Sequence, residues 1–153
     1  MKATYRILAV LIPVLVLVQA ASIAFEMFGL GAWVDKGHTL TKSVLESDTS
    51  PVTGGAGGAI HGLGAIALVV VALALLVVSF FARIPGGVRW AAIVLGDVLL
   101  QWVFAIAGFI VSWQIGALHG LNAIVLAGLG GAAAANARRS SKASTSRPMA
   151  DAV

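Results

Sequence analysis

The sequence predicts an all-α integral membrane protein, folded as a bundle of four transmembrane helices. Hydrophobic residues make up 59% of the 153 residues and charged residues only 10%, whereas an average soluble domain has about 25% charged residues. The apolar residues form four long runs, and a transmembrane helix needs about 20 such residues. These runs do not alternate with polar residues, which excludes a transmembrane β-barrel.

The four spans form one predicted domain, residues 1–135. The first run follows a basic start and continues well past a weak cleavage pattern, so we expect a retained span and not a signal peptide. An outer loop, residues 29–58, joins the first two spans, and a very short connection makes the last two an antiparallel hairpin. The predicted spans are residues 7–28, 59–82, 90–113 and 115–135.

Lysine and arginine residues fall mostly on one side of this topology. Eight of the ten basic residues lie on the side of both termini and only Lys36 and Lys42 on the other, so the positive-inside rule predicts cytoplasmic termini in the cell membrane. The net charge of +4 comes largely from these flanks, and we expect no nucleic-acid binding. Residues 136–153 are rich in Ser, Ala and Arg, which predicts a basic cytoplasmic tail that is disordered or lies on anionic lipid.

A repeated motif opens the second and fourth spans. Residues 61–66 read His-Gly-Leu-Gly-Ala-Ile and residues 119–124 read His-Gly-Leu-Asn-Ala-Ile. The first and third spans echo each other more weakly, around Gln19 and Gln101. The bundle is therefore predicted to be a duplicated helical hairpin whose two copies run in parallel.

Both motif histidines are predicted at one depth, about 30 Å from the inner charges and near the outer edge of the hydrocarbon. Bundles house cofactors between ligands on facing helices, and haem iron takes axial imidazole. The sequence thus indicates a b-type haem with His61 and His119 as iron ligands. Small or polar neighbours on the same helix faces are expected to line the haem: Gly64, Ala65, Asn122 and Ala123.

Other interpretations of the two histidines stay open. They could hydrogen-bond across a helix interface or to lipid headgroups, or bind copper or zinc, although no third ligand is evident at that depth. The absence of cysteine excludes disulfides, thiolate metal sites and iron–sulfur clusters. Lys36, Lys42 or His38 of the outer loop could meet haem propionates.

Four further polar residues lie within the predicted spans and are candidates to support the histidines or to form a proton path. Glu26 could orient His61 as an acceptor. Asp97 should face the bundle interior, because a carboxylate facing lipid is costly. Gln19 and Gln101 are expected to hydrogen-bond between the first and third spans.

The fourth span also carries small residues at four-residue spacing, Ala123, Ala127 and Gly131, which predict tight helix packing within the bundle or against a partner. The chain is therefore a candidate to join a membrane protein partner or to form a homo-oligomer.

With glutamine in the odd spans and histidine near the start of the even spans, the chain resembles a family of small four-span actinobacterial membrane proteins of unknown function. In architecture it is also similar to one half of haem A synthase, whose haem-ligating histidines match His61 and His119. That resemblance implies a haem-binding four-helix bundle. Haem A synthase has an acidic residue just before a histidine of its catalytic half, whereas Ile60 and Leu118 precede the histidines here. The resemblance therefore implies haem binding or electron transfer and not oxygenase chemistry.

The sequence thus favours a haem-binding membrane protein that serves electron transfer or haem handling near the outer face, and it leans away from an enzyme without deciding the question. The alternative is a non-catalytic accessory or assembly subunit of a larger, for example respiratory, membrane complex. A solute transporter is a distant third, because the chain lacks charge-lined, unwound segments in mid-membrane.

Overall fold

The computed structural model describes residues 1–47 and 51–145, and over them the fold is all-α as predicted. Four long helices dominate, and a one-turn helix lies in the first loop. A 3₁₀ turn, Trp113–Ile115, links the last two long helices. The helices are α1 (Lys2–Asp35), α2 (Lys42–Leu45), α3 (Ala56–Ala82), α4 (Gly87–Ile110) and α5 (Gly116–Thr145).

The long helices differ from the predicted spans mainly at their ends. Helix α1 continues past residue 28 to Asp35, and α3 starts three residues before the predicted residue 59. Helix α4 ends at Ile110 instead of residue 113, because Ser112 caps the 3₁₀ turn that follows it. Hydropathy alone could not locate these ends, since the residues beyond them are also apolar.

The expectation of a disordered tail from residue 136 is wrong for residues 136–145, which continue α5. The segment contains two alanines, two arginines and a lysine, which have high helix propensity. Ala137 is fully buried, and the Asn136 Nδ2 donates to the Pro85 carbonyl over 2.9 Å. Packing therefore holds the extension in place. Residues 146–153 of the predicted tail lie outside the described residues.

The chain divides into two compact units, and the divisions fall within helices. The first unit comprises residues 1–16 and 68–153, and the second comprises residues 17–67. The first unit thus contains the start of α1, the end of α3, and all of α4 and α5. The second contains the rest of α1, the outer loop with α2, and the first part of α3.

The hydrophobic core belongs to the first unit. Tyr5 is buried, and its hydroxyl donates to the Gly87 carbonyl over 3.0 Å, which ties the start of α1 to the start of α4. Small side chains of α5 let α1 approach closely. The buried core residues are Tyr5, Ala9, Ile12, Val16, Leu68, Ala72, Leu75, Ala82, Ile84, Ala91, Val94, Val98, Leu126, Ala133, Ala134 and Ala137.

Tight packing on α5 involves a glycine next to the predicted one. A β-carbon at Gly130 would lie 2.8 Å from the Ile12 Cβ and 2.8 Å from the Pro13 Cδ, whereas one at Gly131 would meet nothing within 4 Å. Ala123 and Ala127 pack against the core. The prediction of tight packing is thus confirmed at Ala123 and Ala127, whereas Gly130 and not Gly131 makes the third close contact.

In the second unit, glycines at the start of α3 bring its backbone against α1. A β-carbon at Gly57 would lie 2.3 Å from the Ser22 carbonyl oxygen, and one at Gly54 would lie 2.8 Å from that of Phe25. The glycine-rich lead into α3 therefore serves close helix packing.

All four long helices are long and apolar enough to cross a membrane. Their outward surface is also apolar: Leu17, Leu63 and Phe109, for example, are 68%, 70% and 93% exposed. A lipid environment covers so much apolar surface without cost. The protein is a multi-pass integral membrane protein.

Candidate functional site

His61 lies in the second turn of α3, one turn later than predicted, and packs on α1 within the second unit. Its Nδ1 is 3.2 Å from the backbone carbonyl oxygen of Gln19. A carbonyl can only accept a hydrogen bond, so this bond requires the proton on Nδ1. The neutral imidazole then carries its lone pair on Nε2, the nitrogen that would bind a metal.

His119 repeats this arrangement within the first unit. It lies in the first turn of α5, and its Nδ1 is 3.0 Å from the carbonyl oxygen of Gln101 on α4. The same reasoning places the lone pair on its Nε2. The two sequence motifs therefore correspond to one local structure, a histidine oriented by the main chain of the motif glutamine.

The Gln101 side chain adds further bonds between α4 and α5. Its Nε2 donates to the His119 carbonyl over 2.7 Å, and its Oε1 accepts from the Asn122 Nδ2 over 2.7 Å. The Asn122 amide also lies 3.4 Å from the Asp97 carbonyl oxygen and 3.5 Å from its Oδ2. Asp97, Gln101, His119 and Asn122 thus form one polar network, which we name the α4–α5 network.

The corresponding glutamine of the second unit has no such network. Gln19 is only 7% exposed, and neither its Nε2 nor its Oε1 has a hydrogen-bond partner among the described residues. Gly64 occupies the motif position that Asn122 has in the other copy. A β-carbon at Gly64 would lie 2.4 Å from the Gln19 Nε2, so the amide fills the space of the missing side chain.

The predicted bond between the two glutamines is therefore wrong. The Gln101 amide bonds to α5, and the Gln19 amide packs on α3 without a polar partner. Each glutamine instead contacts the histidine of its own unit through its backbone. Sequence reasoning missed this contact because a backbone carbonyl leaves no signal in the residue type.

Glu26 is on α1, and its carboxylate lies against the start of α3. Its two carboxylate oxygens would each be 2.8 Å from a β-carbon at Gly58, in the first turn of that helix. A negative charge there is stabilised by the positive end of the helix dipole. Ala65 is half-buried one turn after His61.

The outer loop holds the residues named for haem propionates. His38 stacks on the buried Trp33, with ring centroids 4.7 Å apart. The Lys42 Nζ lies 3.6 Å from the Glu46 Oε1, an ion pair at the one-turn α2. Lys36 is exposed just after the end of α1.

Across residues 1–47 and 51–145 the structure brings together no group of three or more His, Cys, Asp or Glu side chains that could hold a metal ion. A metal at either histidine would therefore need ligands from another source. Comparison of the chain with protein-family models, curated proteins and solved structures finds no match.

Proposed function

We propose that the protein binds a b-type haem, with His61 and His119 as axial ligands, and serves electron transfer or haem handling. One observation carries the proposal: each histidine directs its Nδ1 at a glutamine backbone carbonyl, at 3.2 Å and 3.0 Å. Histidines that bind metals in proteins characteristically donate the other ring N–H to such an acceptor. The bond fixes the ring orientation and the tautomer whose lone pair lies on Nε2, the nitrogen that would bind iron.

The donor set suits haem better than a bare zinc or copper ion. Structural zinc takes four protein ligands and catalytic zinc three, and the described residues offer no cluster of that kind. Haem itself supplies four nitrogen ligands to the iron. The protein needs to provide only the axial ligands, and imidazole is a common one. When bound, it would supply one-electron redox chemistry.

The helix surface next to each histidine is also open. A glycine follows each histidine, and a β-carbon at Gly62 or Gly120 would meet nothing within 4 Å. The same two histidines carry the resemblance to one half of haem A synthase. Both lines of argument support binding, and neither requires catalysis.

The test is an absorption spectrum of the detergent-purified full-length protein, oxidised and reduced, after expression with haem supply. We expect a Soret band that is lost or shifted in both His61→Ala and His119→Ala. His38→Ala is the matched control, because His38 stacks on Trp33 and is not a proposed ligand; its spectrum should equal that of the parent. A parent protein without a Soret band, or variants with an unchanged spectrum, would refute the proposal.

A second candidate function is that of an accessory or assembly subunit of a larger membrane complex. It is favoured by an open glycine face on α5, where β-carbons at Gly120, Gly128 and Gly131 would meet nothing within 4 Å. Small residues let a second helix approach closely in a bilayer. This candidate predicts a stable complex in mild detergent, and a monodisperse lone protein would count against it.

A further inference from the structure

Four exposed arginines of the α3–α4 connection and of the α5 extension lie at one end of the first unit, and we call this group the basic end: Arg83, Arg89, Arg138 and Arg139. Two of them flank the turn between α3 and α4, and two lie on the extension of α5. The bond from the Asn136 Nδ2 to the Pro85 carbonyl, at 2.9 Å, ties that turn to that extension. The arginine pairs are therefore held near each other by ordered structure.

No carboxylate of the described chain neutralises the basic end. The one ion pair found among residues 1–47 and 51–145 joins Lys42 to Glu46, within the second unit. Asp97, the acidic residue described in the first unit, lies within α4 beside Asn122. The positive end of the α4 dipole, which has no acidic residue in its first turn, adds to the same field.

The backbone of Arg83 points to a use for its side chain. Arg83 has φ +50°, the only positive φ at a non-glycine residue in the described part of the chain. Glycine normally occupies this conformation just after a helix, because a side chain there costs about 1 kcal/mol or more. An arginine at such a position indicates that its guanidinium contributes something that glycine would not.

We propose that the basic end binds the phosphate headgroup of an anionic phospholipid in the leaflet that it faces. The apolar surface beside it favours a lipid over a free anion or a nucleic acid. Phe80 and Phe81, within one turn before Arg83, are 63% and 66% exposed, and Val88 lies exposed next to Arg89. An acyl chain can lie along these side chains while the phosphate contacts the guanidinium groups, which suit phosphate geometry.

Arg83→Gly separates this proposal from a purely structural role. The substitution removes the charge and also relieves the backbone, so the variant should be at least as heat-stable as the parent. Lipid binding is measured by native mass spectrometry of the full-length protein in detergent, as the ratio of bound phosphatidylglycerol to bound phosphatidylcholine. Each removed charge should lower that ratio about fivefold.

A second variant, Arg138→Gln with Arg139→Gln, keeps helix propensity and should lower the ratio more. The control Lys42→Gln, on the outer loop, should leave it unchanged. An unchanged ratio in both arginine variants, or an equal fall in the control, would overturn the proposal. Displacement of phosphatidylglycerol by inorganic phosphate at equal concentration would also overturn it, because the site would then be one for a free anion.

Discussion

At the scale of single residues, the two motif glutamines are alike in sequence and differ in what their amides contact. The Gln101 amide joins His119 and Asn122, whereas the buried Gln19 amide has no polar partner among the described residues. An unpartnered buried amide costs about 1–3 kcal/mol, and a formed bond within a membrane contributes about 0.6 kcal/mol on average. The same substitution should therefore have opposite effects at the two positions.

We predict that Gln101→Leu lowers the free energy of unfolding by about 1 kcal/mol or more, because it removes two hydrogen bonds and the main partner of Asn122. Gln19→Leu should leave stability unchanged or raise it by about 1 kcal/mol, because it removes an unpaired buried amide. Thermal unfolding of both variants in the same detergent compares them directly. A larger loss for Gln19→Leu than for Gln101→Leu would contradict the hydrogen-bond assignment.

The sequence located the candidate site residues but not their contacts. Repetition of the motif singled out His61 and His119, together with Gln19 and Gln101. Helical rise placed Gln101 about 18 Å above Arg89 and the histidines about 30 Å from the inner charges, so a contact between them was not expected. In the structure a β-carbon at Gly108 would lie 3.0 Å from the Gly116 Cα, so α5 begins beside residue 108 and not beyond the end of α4. The residues of α5 therefore lie beside earlier residues of α4 than the sequence predicted. Such a shift depends on packing between helices, which one sequence does not reveal.

At the scale of helices, composition predicted which segments are helical and which faces are small. Four apolar runs gave four long helices, and the small-residue face of α5 was predicted to within one residue. The helix ends were not predictable, since the 3₁₀ turn at residues 113–115 and the extension of α5 depend on capping and on packing of Ala137.

The two sides of α5 should respond differently to a larger side chain. Gly130→Leu places atoms where the Ile12 Cβ and the Pro13 Cδ lie within 2.8 Å of the first added carbon, so we expect a loss of about 1–3 kcal/mol in stability. Gly128→Leu is the matched control, because a β-carbon there meets nothing within 4 Å. It should keep or raise stability, since leucine has the higher helix propensity.

Thermal unfolding and size-exclusion chromatography of both variants provide the readout. Equal stability of the Gly128 and Gly130 variants would contradict the packing of α1 on α5. A Gly128→Leu protein that folds but no longer co-purifies with a partner would support the accessory-subunit function.

At the scale of the whole molecule, the uneven distribution of basic residues predicts that both termini face the cytoplasm. The absence of cysteine makes this easy to test, because any introduced thiol is the only one in the chain. Ser43, on α2 of the outer loop, and Ser141, near the end of α5, are both exposed. They are predicted to lie on opposite sides of the membrane.

We expect Ser43→Cys to react with a membrane-impermeant maleimide in intact cells, and Ser141→Cys to react only after permeabilisation. Labelling after denaturation gives the total amount of each protein. Labelling of Ser141→Cys in intact cells, with Ser43→Cys protected, would show the reverse orientation.

The length of α5 also determines how the end of the chain is presented. Its 30 residues span about 45 Å, whereas the hydrocarbon core of a bilayer is about 30 Å thick. About ten residues of this helix therefore extend beyond the hydrocarbon as a rigid helical segment. A reporter domain fused directly after Thr145 would be held at a fixed distance from the membrane surface and in a fixed orientation. Energy transfer from this domain to a labelled lipid surface should therefore report a narrow range of distances.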